Sequence, residues 1–289
     1  MHGPFQVVKT LYATGYVTVF VSADAEGNEI VVKAVHLSAR EPDIQRQVQK
    51  LESAMPALRA LSHPNLVQHI QSFQRKDNYP DLASYYLTME YCNGGSLSEF
   101  VRGQAIGDHQ LDRWMREILE ALAYLHRNSL VHRDLKGANI LLSTPHFETC
   151  GLKICDLGDI HQLMGSVTGR DEVSDSHGTI AYMSPEMIAG PFGAEKFQIG
   201  RKTDIWSYGC VVIEMLSRQQ PQFIVRLDGR DYPLTNGSKK ILVFVGRDGG
   251  RPELSVAWPL KLYNLIDNCL IRDPQKRPSA QELLESQFS

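Results

Sequence analysis

HRDLKGAN, the stretch at residues 132–139, decides the interpretation of this 289-residue chain. It places an aspartate, a lysine and an asparagine close together, at Asp134, Lys136 and Asn139. Taken singly, residues of these types are usually solvated surface groups. The stretch comes shortly after residues 111–126, whose apolar side chains recur at helical spacing and predict an amphipathic helix. The spacing of these three polar residues is therefore interpreted together with the segments on either side.

The residues before this stretch predict mainly strands. Residues 17–21 and 30–35 are rich in β-branched side chains, and the turn-like segment 24–28 between them predicts a hairpin. Residues 66–73 and 85–89 predict two more strands. Apolar residues at helical spacing between 44 and 61 predict one helix, which Pro56 breaks or restarts.

The residues after position 95 have a helical character. Segments 203–216, 256–270 and 279–284 predict further helices, the last of them capped by Ser279 with Glu282 three residues on. A β-rich front and an α-rich back, joined near residues 91–95, predict two lobes with a cleft between them. Ligands favour such clefts.

Composition excludes several classes of function. The net charge of -3 gives no electrostatic footprint for nucleic acid or for an anionic membrane. No apolar run reaches the roughly 18 residues that a membrane span needs. Five cysteines without C-x-x-C spacing argue against a disulfide framework and a zinc site, and favour buried thiols in a reducing compartment. We expect a soluble protein of the cytoplasm, with the nucleus as the alternative, and its oligomeric state stays open.

The quoted stretch resembles the catalytic loop of protein kinases, H-R-D-L-x-x-x-N, at every fixed position. Downstream, DLG at 156–158 and SPE at 184–186 stand where D-F-G and A-P-E belong, and Lys33 occupies the place of the V-A-I-K lysine. The similarity runs from about residue 11 to residue 288, and the chain most resembles the MAP kinase kinase kinase and sterile-kinase group. The sequence is thus identified as a member of the protein kinases, of serine/threonine type.

The resemblance implies an α+β, bilobal protein kinase fold in a single kinase domain over residues 1–289. A small β-rich N-lobe with one main helix would occupy about 1–91, and a hinge about 90–95. A larger α-helical C-lobe would occupy about 96–289.

The resemblance also implies ATP and Mg²⁺ as cofactors and a protein hydroxyl as acceptor. Asn139 and Asp156 would hold Mg²⁺, since oxygen is the ligand that this hard cation prefers. Lys33 would contact the α- and β-phosphates. Asp134 would orient the acceptor hydroxyl and accept its proton, while Lys136 would contact the transferred phosphoryl group.

The same alignment implies a set of residues around the adenine. Met89 would be the gatekeeper, main-chain groups of Glu90 and Cys92 would face the base, and the Cys155 thiol would line the back of the pocket. The implied ATP-binding residues are Leu11, Val19, Val31, Lys33, Met89, Glu90, Cys92, Leu141 and Cys155.

Three residues outside this set have expected structural roles. His132 is interpreted as a residue that holds the loop in place and not as a proton carrier. Asp204 would be a buried acceptor for catalytic-loop amides. Glu186 would form an ion pair with Arg277.

The sequence departs from the family in its glycine-rich loop. Tyr12, Thr14 and Val17 replace the three glycines, and Gly15 falls at an ordinarily variable position. Glycine lets backbone amides approach phosphate without a Cβ in the way, so we expect weaker or unusual nucleotide binding.

Two further departures lie outside that loop. Ala54 stands where the glutamate that pairs with Lys33 belongs, which leaves Glu52 or the more distant Glu41 as substitutes. Leu157 replaces the phenylalanine of D-F-G. A pseudokinase that acts as a scaffold or allosteric partner is therefore the alternative to an active enzyme. Phosphotransfer to a small molecule is disfavoured, because residues 178–182 resemble the segment that seats a peptide.

The activation segment, residues 156–186, carries the candidate regulatory positions. Kinases with an arginine before the catalytic aspartate commonly need a phosphate on this segment, and Asp175 lies where that phosphate is often found. One carboxylate is only a partial mimic of a phosphate. The candidate regulatory residues are Thr168, Ser174, Asp175, Ser176 and Thr179.

Overall fold

The structure is a computed structural model, which describes residues 5–38, 49, 52–53, 55–76, 82–156, 161–162, 180–192, 200–235 and 239–288. The chain divides into two compact units, Met1–Asn93 and Gly94–Ser289. The first is built on a β-sheet and the second is mainly helical, so the predicted α+β class is confirmed. In the part of the chain that the structure describes, no helix is long and apolar enough to cross a membrane.

The first unit contains one antiparallel sheet of five strands in the order β1-β2-β3-β5-β4. The strands are β1 (Lys9–Ala13), β2 (Val17–Ala23), β3 (Glu29–Ser38), β4 (His69–Lys76) and β5 (Leu82–Glu90). Residues 55–60 are helical.

The predicted hairpin of β2 and β3 is confirmed. Its turn is fixed by Asp24, whose carboxylate accepts hydrogen bonds from the amides of Glu26 and Asn28 at 3.0 and 2.7 Å. The strand predicted from residue 66 is wrong at its start, because β4 begins at His69. Residues 63–66 form a turn instead, in which the Leu66 amide donates to the His63 carbonyl at 3.1 Å.

The two faces of this sheet have different surroundings. One face carries the apolar cluster of the unit, in which Phe20, Val32 and Ala34 are fully buried. Successive residues of a strand point to opposite faces, so Val19, Val31 and Lys33 lie on the other face. The cluster thus anchors the sheet that presents Lys33.

The second unit contains seven helices and three two-stranded sheets within the described residues. The helices are α1 (Leu97–Gly103), α2 (Asp108–Arg127), α3 (Pro185–Phe192), α4 (Arg201–Ser217), α5 (Lys239–Gly246), α6 (Leu260–Cys269) and α7 (Ala280–Gln287). The strands are β6 (Leu130–Val131), β7 (Ile140–Leu142), β8 (Leu152–Ile154), β9 (His161–Gln162), β10 (Phe223–Leu227) and β11 (Arg230–Leu234). Pairs form between β6 and β9, β7 and β8, and β10 and β11.

Helix α4 is the centre of this unit, since its residues from Thr203 to Met215 are all buried. A helix that is buried all round belongs to a core. Helices α2 and α7 contact each other, as do α4 and α6. The predicted cap of α7 is confirmed, because Ser279 and Glu282 form a reciprocal capping box.

The helix predicted over 256–270 is wrong at its start. Helix α6 begins at Leu260, after Pro259 at the N-cap position. Residues 255–258 form a turn in which the Ser255 hydroxyl accepts a hydrogen bond from the Ala257 amide at 3.3 Å. The Val256 side chain is 92% exposed, so its apolar character does not place it in a buried helical face.

Candidate active site

One buried carboxylate fixes the backbone of the candidate catalytic loop. Asp204 on α4 is fully buried and accepts hydrogen bonds from the backbone amides of His132 and Arg133 at 2.9 and 2.8 Å. The ring of His126, at the end of α2, donates to the same carboxylate at 2.8 Å. The predicted role of Asp204 is confirmed.

The ionisation of Asp204 depends on these donors. Burial alone would raise the pKa of its carboxyl, but the hydrogen bonds from the His126 ring and from the His132 amide lower that pKa below its ordinary value. The carboxylate is thus charged where it holds the loop. A charged acceptor forms stronger hydrogen bonds with amides than a neutral one.

Both ring nitrogens of His132 are used within the loop. Nδ1 accepts a hydrogen bond from the Asp134 amide at 3.2 Å, and Nε2 donates to the Cys155 carbonyl at 2.9 Å. The side chain is completely buried. This geometry agrees with a residue that ties the loop to the end of β8, and not with a histidine that carries protons.

Asp134, Lys136 and Asn139 form one hydrogen-bonded cluster. The Lys136 ammonium donates to Asp134 Oδ2 at 2.7 Å, and both side chains are about one-fifth exposed. The Asn139 amide nitrogen donates to the same oxygen at 3.0 Å and to the Asp134 carbonyl at 2.8 Å. The structure therefore brings together the three polar residues of the quoted stretch, around a single carboxylate oxygen.

Asp156 is next in sequence to Cys155, whose backbone is hydrogen-bonded to this cluster. The Cys155 amide donates to the Asn139 carbonyl at 2.9 Å. Asp156 has a φ of 58° and Arg133 a φ of 67°. Left-handed conformations cost energy in residues other than glycine and tend to occur at functional sites.

The side chains present fit a Mg²⁺ ion. Both hydrogen bonds of the Asn139 side chain use its nitrogen, which leaves its oxygen as a hard ligand. Mg²⁺ is commonly bound by one or two protein ligands together with phosphate and water. Among the described residues no group of three or more His, Cys, Asp or Glu side chains could hold a metal, and Asn139 with Asp156 matches the smaller donor set.

On the first unit, the sheet register brings together four of the nine predicted nucleotide residues. Val19 is paired with Lys33, and Val31 with Met89. Cross-strand partners share a face, and Val31 and Lys33 are two residues apart on β3. These four side chains therefore occupy one face of the sheet.

The other predicted nucleotide residues are placed separately. Leu11 lies at an irregularity of the β1–β2 register and is 42% exposed. The Glu90 carboxylate accepts the Gln68 amide at 2.7 Å, and Cys92 is buried. On the second unit, Leu141 is in β7 opposite Lys153, and Cys155 is partly exposed.

Several predicted residues lie outside the described part of the chain. All candidate regulatory residues do so, namely Thr168, Ser174, Asp175, Ser176 and Thr179. Ala54, Glu41 and Leu157 do so as well. Glu52 is helical and exposed.

The predicted ion pair of Glu186 and Arg277 is confirmed. Arg277 forms two hydrogen bonds to the carboxylate, at 2.7 and 3.1 Å, and both side chains are buried. Thr203 also donates to Glu186 at 3.0 Å. A bidentate, buried pair of this kind fixes the start of α3 against the core.

Sequence reasoning missed the role of Glu214 on α4. This buried carboxylate accepts hydrogen bonds from the Ser98 hydroxyl at 2.6 Å and from the Tyr182 hydroxyl at 2.8 Å. It also lies against Gly137 in the candidate catalytic loop, where an added Cβ would be 2.3 Å from Oε2. An acidic residue inside the apolar run CVVIEML was the available signal.

Comparison with known proteins agrees with this geometry. The family model described as "Protein kinase domain" matches residues 6–289. The chain belongs to the protein kinase domain family. The prediction of family is thus confirmed, and the catalytic-loop cluster is part of a kinase domain.

Similar proteins include kinases of two named groups. "Mitogen-activated protein kinase kinase kinase 19" of Homo sapiens is 29% identical over 279 residues, which are 94% of this chain and 19% of that protein. "Serine/threonine-protein kinase max-2" of Caenorhabditis elegans is 30% identical over 288 residues, or 99% of this chain and 39% of that protein. "Mitogen-activated protein kinase kinase kinase 4" of Homo sapiens is 30% identical, with 95% and 15% covered. The kinase domain thus spans no more than 39% of the length of these three relatives.

Proposed function

We propose that this kinase domain transfers the γ-phosphate of ATP to serine or threonine hydroxyls of proteins. The observation that carries the proposal is the Asp134 carboxylate, which holds Lys136 and Asn139 on a loop fixed by Asp204. Phosphoryl transfer depends mainly on positioning and on neutralisation of charge. A carboxylate and an ammonium 2.7 Å apart on a fixed loop supply both.

Each residue of the cluster has a role in the proposal. Asp134 orients the acceptor hydroxyl and takes its proton as the oxygen attacks phosphorus. Lys136 neutralises charge on the transferred group, and Asn139 keeps the Asp134 carboxylate in place through its amide nitrogen. Asn139 and Asp156 would hold Mg²⁺, which when bound neutralises the negative charge of the phosphates.

Residues of the first unit are assigned to the nucleotide. Lys33 would bind the α- and β-phosphates, and Val19, Val31 and Met89 would contact the adenine. Their shared face of the sheet supports this assignment. Main-chain groups of Glu90 and Cys92 would hydrogen-bond the base, since backbone spacing does not depend on a rotamer.

The test is transfer of radiolabelled γ-phosphate to a mixture of basic protein acceptors, followed by analysis of the labelled amino acids. We expect phosphoserine and phosphothreonine. Phosphotyrosine as the main product would contradict the assigned acceptor class. Absence of label on every acceptor, with a folded protein, would contradict the enzymatic proposal.

A second candidate function is that of a pseudokinase, which binds nucleotide and acts as a scaffold. The loop between β1 and β2 favours it, since Tyr12, Thr14 and Val17 replace the glycines of the family pattern. Thermal unfolding with and without Mg-ATP separates the candidates. A rise in unfolding temperature without phosphate transfer favours the scaffold, and a rise with transfer favours the enzyme.

A further inference from the structure

The loop between β1 and β2 is a tight turn with its own closing bonds. The Thr14 amide donates to the Val17 carbonyl at 2.8 Å, and the next pair in register is Ala13 with Thr18. Only Gly15 and Tyr16 therefore form the turn. The whole segment from Thr14 to Tyr16 is exposed.

The Thr14 hydroxyl lies over the amides of this turn. Its Oγ1 accepts hydrogen bonds from the Val17 amide at 3.1 Å and from the Tyr16 amide at 3.4 Å. The hydroxyl donates to the Val17 carbonyl at 3.3 Å. The amides of Tyr16 and Val17 thus share one side-chain acceptor within the same loop.

Gly15 is the one glycine of this turn, but the structure does not require a glycine at its position. An added Cβ at this position would have nothing within 4 Å, and the φ of Gly15 is not in the left-handed region. A glycine is therefore not required here by crowding or by backbone conformation. Tyr12 is 58% exposed and Thr14 is exposed as well, so burial does not explain the replacement of a glycine at either position.

Backbone amides at a turn are the groups that bind phosphate in nucleotide sites, because they present several N–H donors to one anion. An acceptor that already occupies those donors competes with phosphate. We infer that the Thr14 hydroxyl competes with nucleotide phosphate for the amides of Tyr16 and Val17 and so lowers the affinity of this kinase domain for ATP and ADP. The inference rests on the proposed function, because it assigns this loop to the phosphates.

The expected size of the effect follows from the bonds that are exchanged. Two long hydrogen bonds to an exposed hydroxyl have a small net value, so their removal should strengthen ADP binding about three- to tenfold. Adenosine carries no phosphate, and its affinity should not change. A change in the affinity for ADP without a change in the affinity for adenosine therefore reports on the contacts between this loop and phosphate.

The experiment is isothermal titration of the whole chain with Mg-ADP and with adenosine, for the wild type and four variants. Thr14→Val keeps the β-branched shape and removes the acceptor, whereas Thr14→Ser keeps the acceptor. Thr10→Val is the matched control, since Thr10 is an exposed threonine of β1, the strand that leads into this loop. Thr14→Ala serves as a second variant without the acceptor, should Thr14→Val fold poorly.

We expect tighter Mg-ADP binding in Thr14→Val alone among the first three variants, with adenosine binding equal in all. Unchanged or weaker Mg-ADP binding in Thr14→Val, while the wild type binds Mg-ADP and transfers phosphate, overturns the inference and leaves the proposed function standing. Absence of Mg-ADP binding in the wild type and in every variant overturns the proposed function, and the inference with it.

Discussion

Gly137 in the proposed catalytic loop cannot carry a side chain without displacing a buried carboxylate. A Cβ at this position would be 2.3 Å from Glu214 Oε2 and 2.6 Å from the Ser98 hydroxyl, whereas ordinary contacts begin at 3.4 Å. Gly137→Ala therefore requires a movement of about 1 Å in a region packed as densely as a crystal. Lys136 and Asn139 are in the same short segment, so the movement reaches the cluster.

The cost of this substitution can be worked from the bonds of Glu214. A shift of about 1 Å stretches its bonds from Ser98 and Tyr182, now 2.6 and 2.8 Å, beyond hydrogen-bonding range. Hydrogen bonds to charged groups contribute about 1.5–3 kcal/mol each. Partial loss of both makes about 2–4 kcal/mol a reasonable expectation for Gly137→Ala.

Thermal unfolding of Gly137→Ala and of Gly103→Ala is the assay. Gly103 ends α1 and has open space at its Cβ position, so its substitution should be neutral or slightly stabilising. At about 2–4 °C per kcal/mol, Gly137→Ala should unfold roughly 5–15 °C below the wild type. The double variant Gly137→Ala, Ser98→Ala lacks one of the contacting atoms and should recover part of the lost unfolding temperature. A change below about 0.5 kcal/mol in Gly137→Ala would refute this reasoning, since surface substitutions have effects of that size.

Two further predictions concern a carboxylate and a thiol of the second unit. The Ser96 amide and hydroxyl, which donate to Glu99 in the capping box of α1, lower the pKa of the Glu99 carboxyl. The stability that this charge contributes is present above the ordinary pKa of 4.5 and is lost as pH falls through the lower pKa of the folded state. Wild type and Glu99→Gln should therefore differ in unfolding temperature at pH 7 and converge below pH 4.5. A difference that grows on acidification would contradict this prediction. Cys155 is the one cysteine that is not buried, and burial raises the pKa of the Cys210 and Cys269 thiols, so an electrophile on an adenine-like scaffold should label Cys155 first. Intact-protein mass spectrometry with competing ATP checks the prediction, and labelling that ATP does not reduce would place Cys155 away from the nucleotide.

Local patterns were sufficient for features that depend on neighbouring residues. The hairpin of β2 and β3 follows from β-branched runs around a turn, and the cap of α7 follows from Ser279 and Glu282. The Glu186–Arg277 pair joins distant residues, and it was predicted only through the resemblance to kinases. Charge and spacing do not identify such a partner within one chain.

Features that depend on tertiary contacts were missed or misplaced. The helix α5 was not predicted. The hairpin of β10 and β11 is a local feature that was also missed, although its turn residues Asp228 and Gly229 favour a hairpin; Pro233 within β11 argues against a strand by propensity. The role of Glu214 was missed because its partners, Ser98 and Tyr182, are far apart in sequence. From the sequence, Thr14 was interpreted only as the replacement of a glycine, because a side-chain hydrogen bond to the amides of a turn is visible only in the three-dimensional structure.

The most direct test of the account is the rate of γ-phosphate transfer by Asp134→Asn against the exposed control Asp112→Asn. Asp134 accepts bonds from Lys136 and Asn139, and the variant keeps its shape while removing the charge and the base. We expect Asp134→Asn to lower turnover at least about a hundredfold, as for other acid–base groups. Its unfolding temperature should stay near that of Asp112→Asn, which should retain full activity. Wild-type turnover in a folded Asp134→Asn variant would contradict the claim that this cluster performs the transfer.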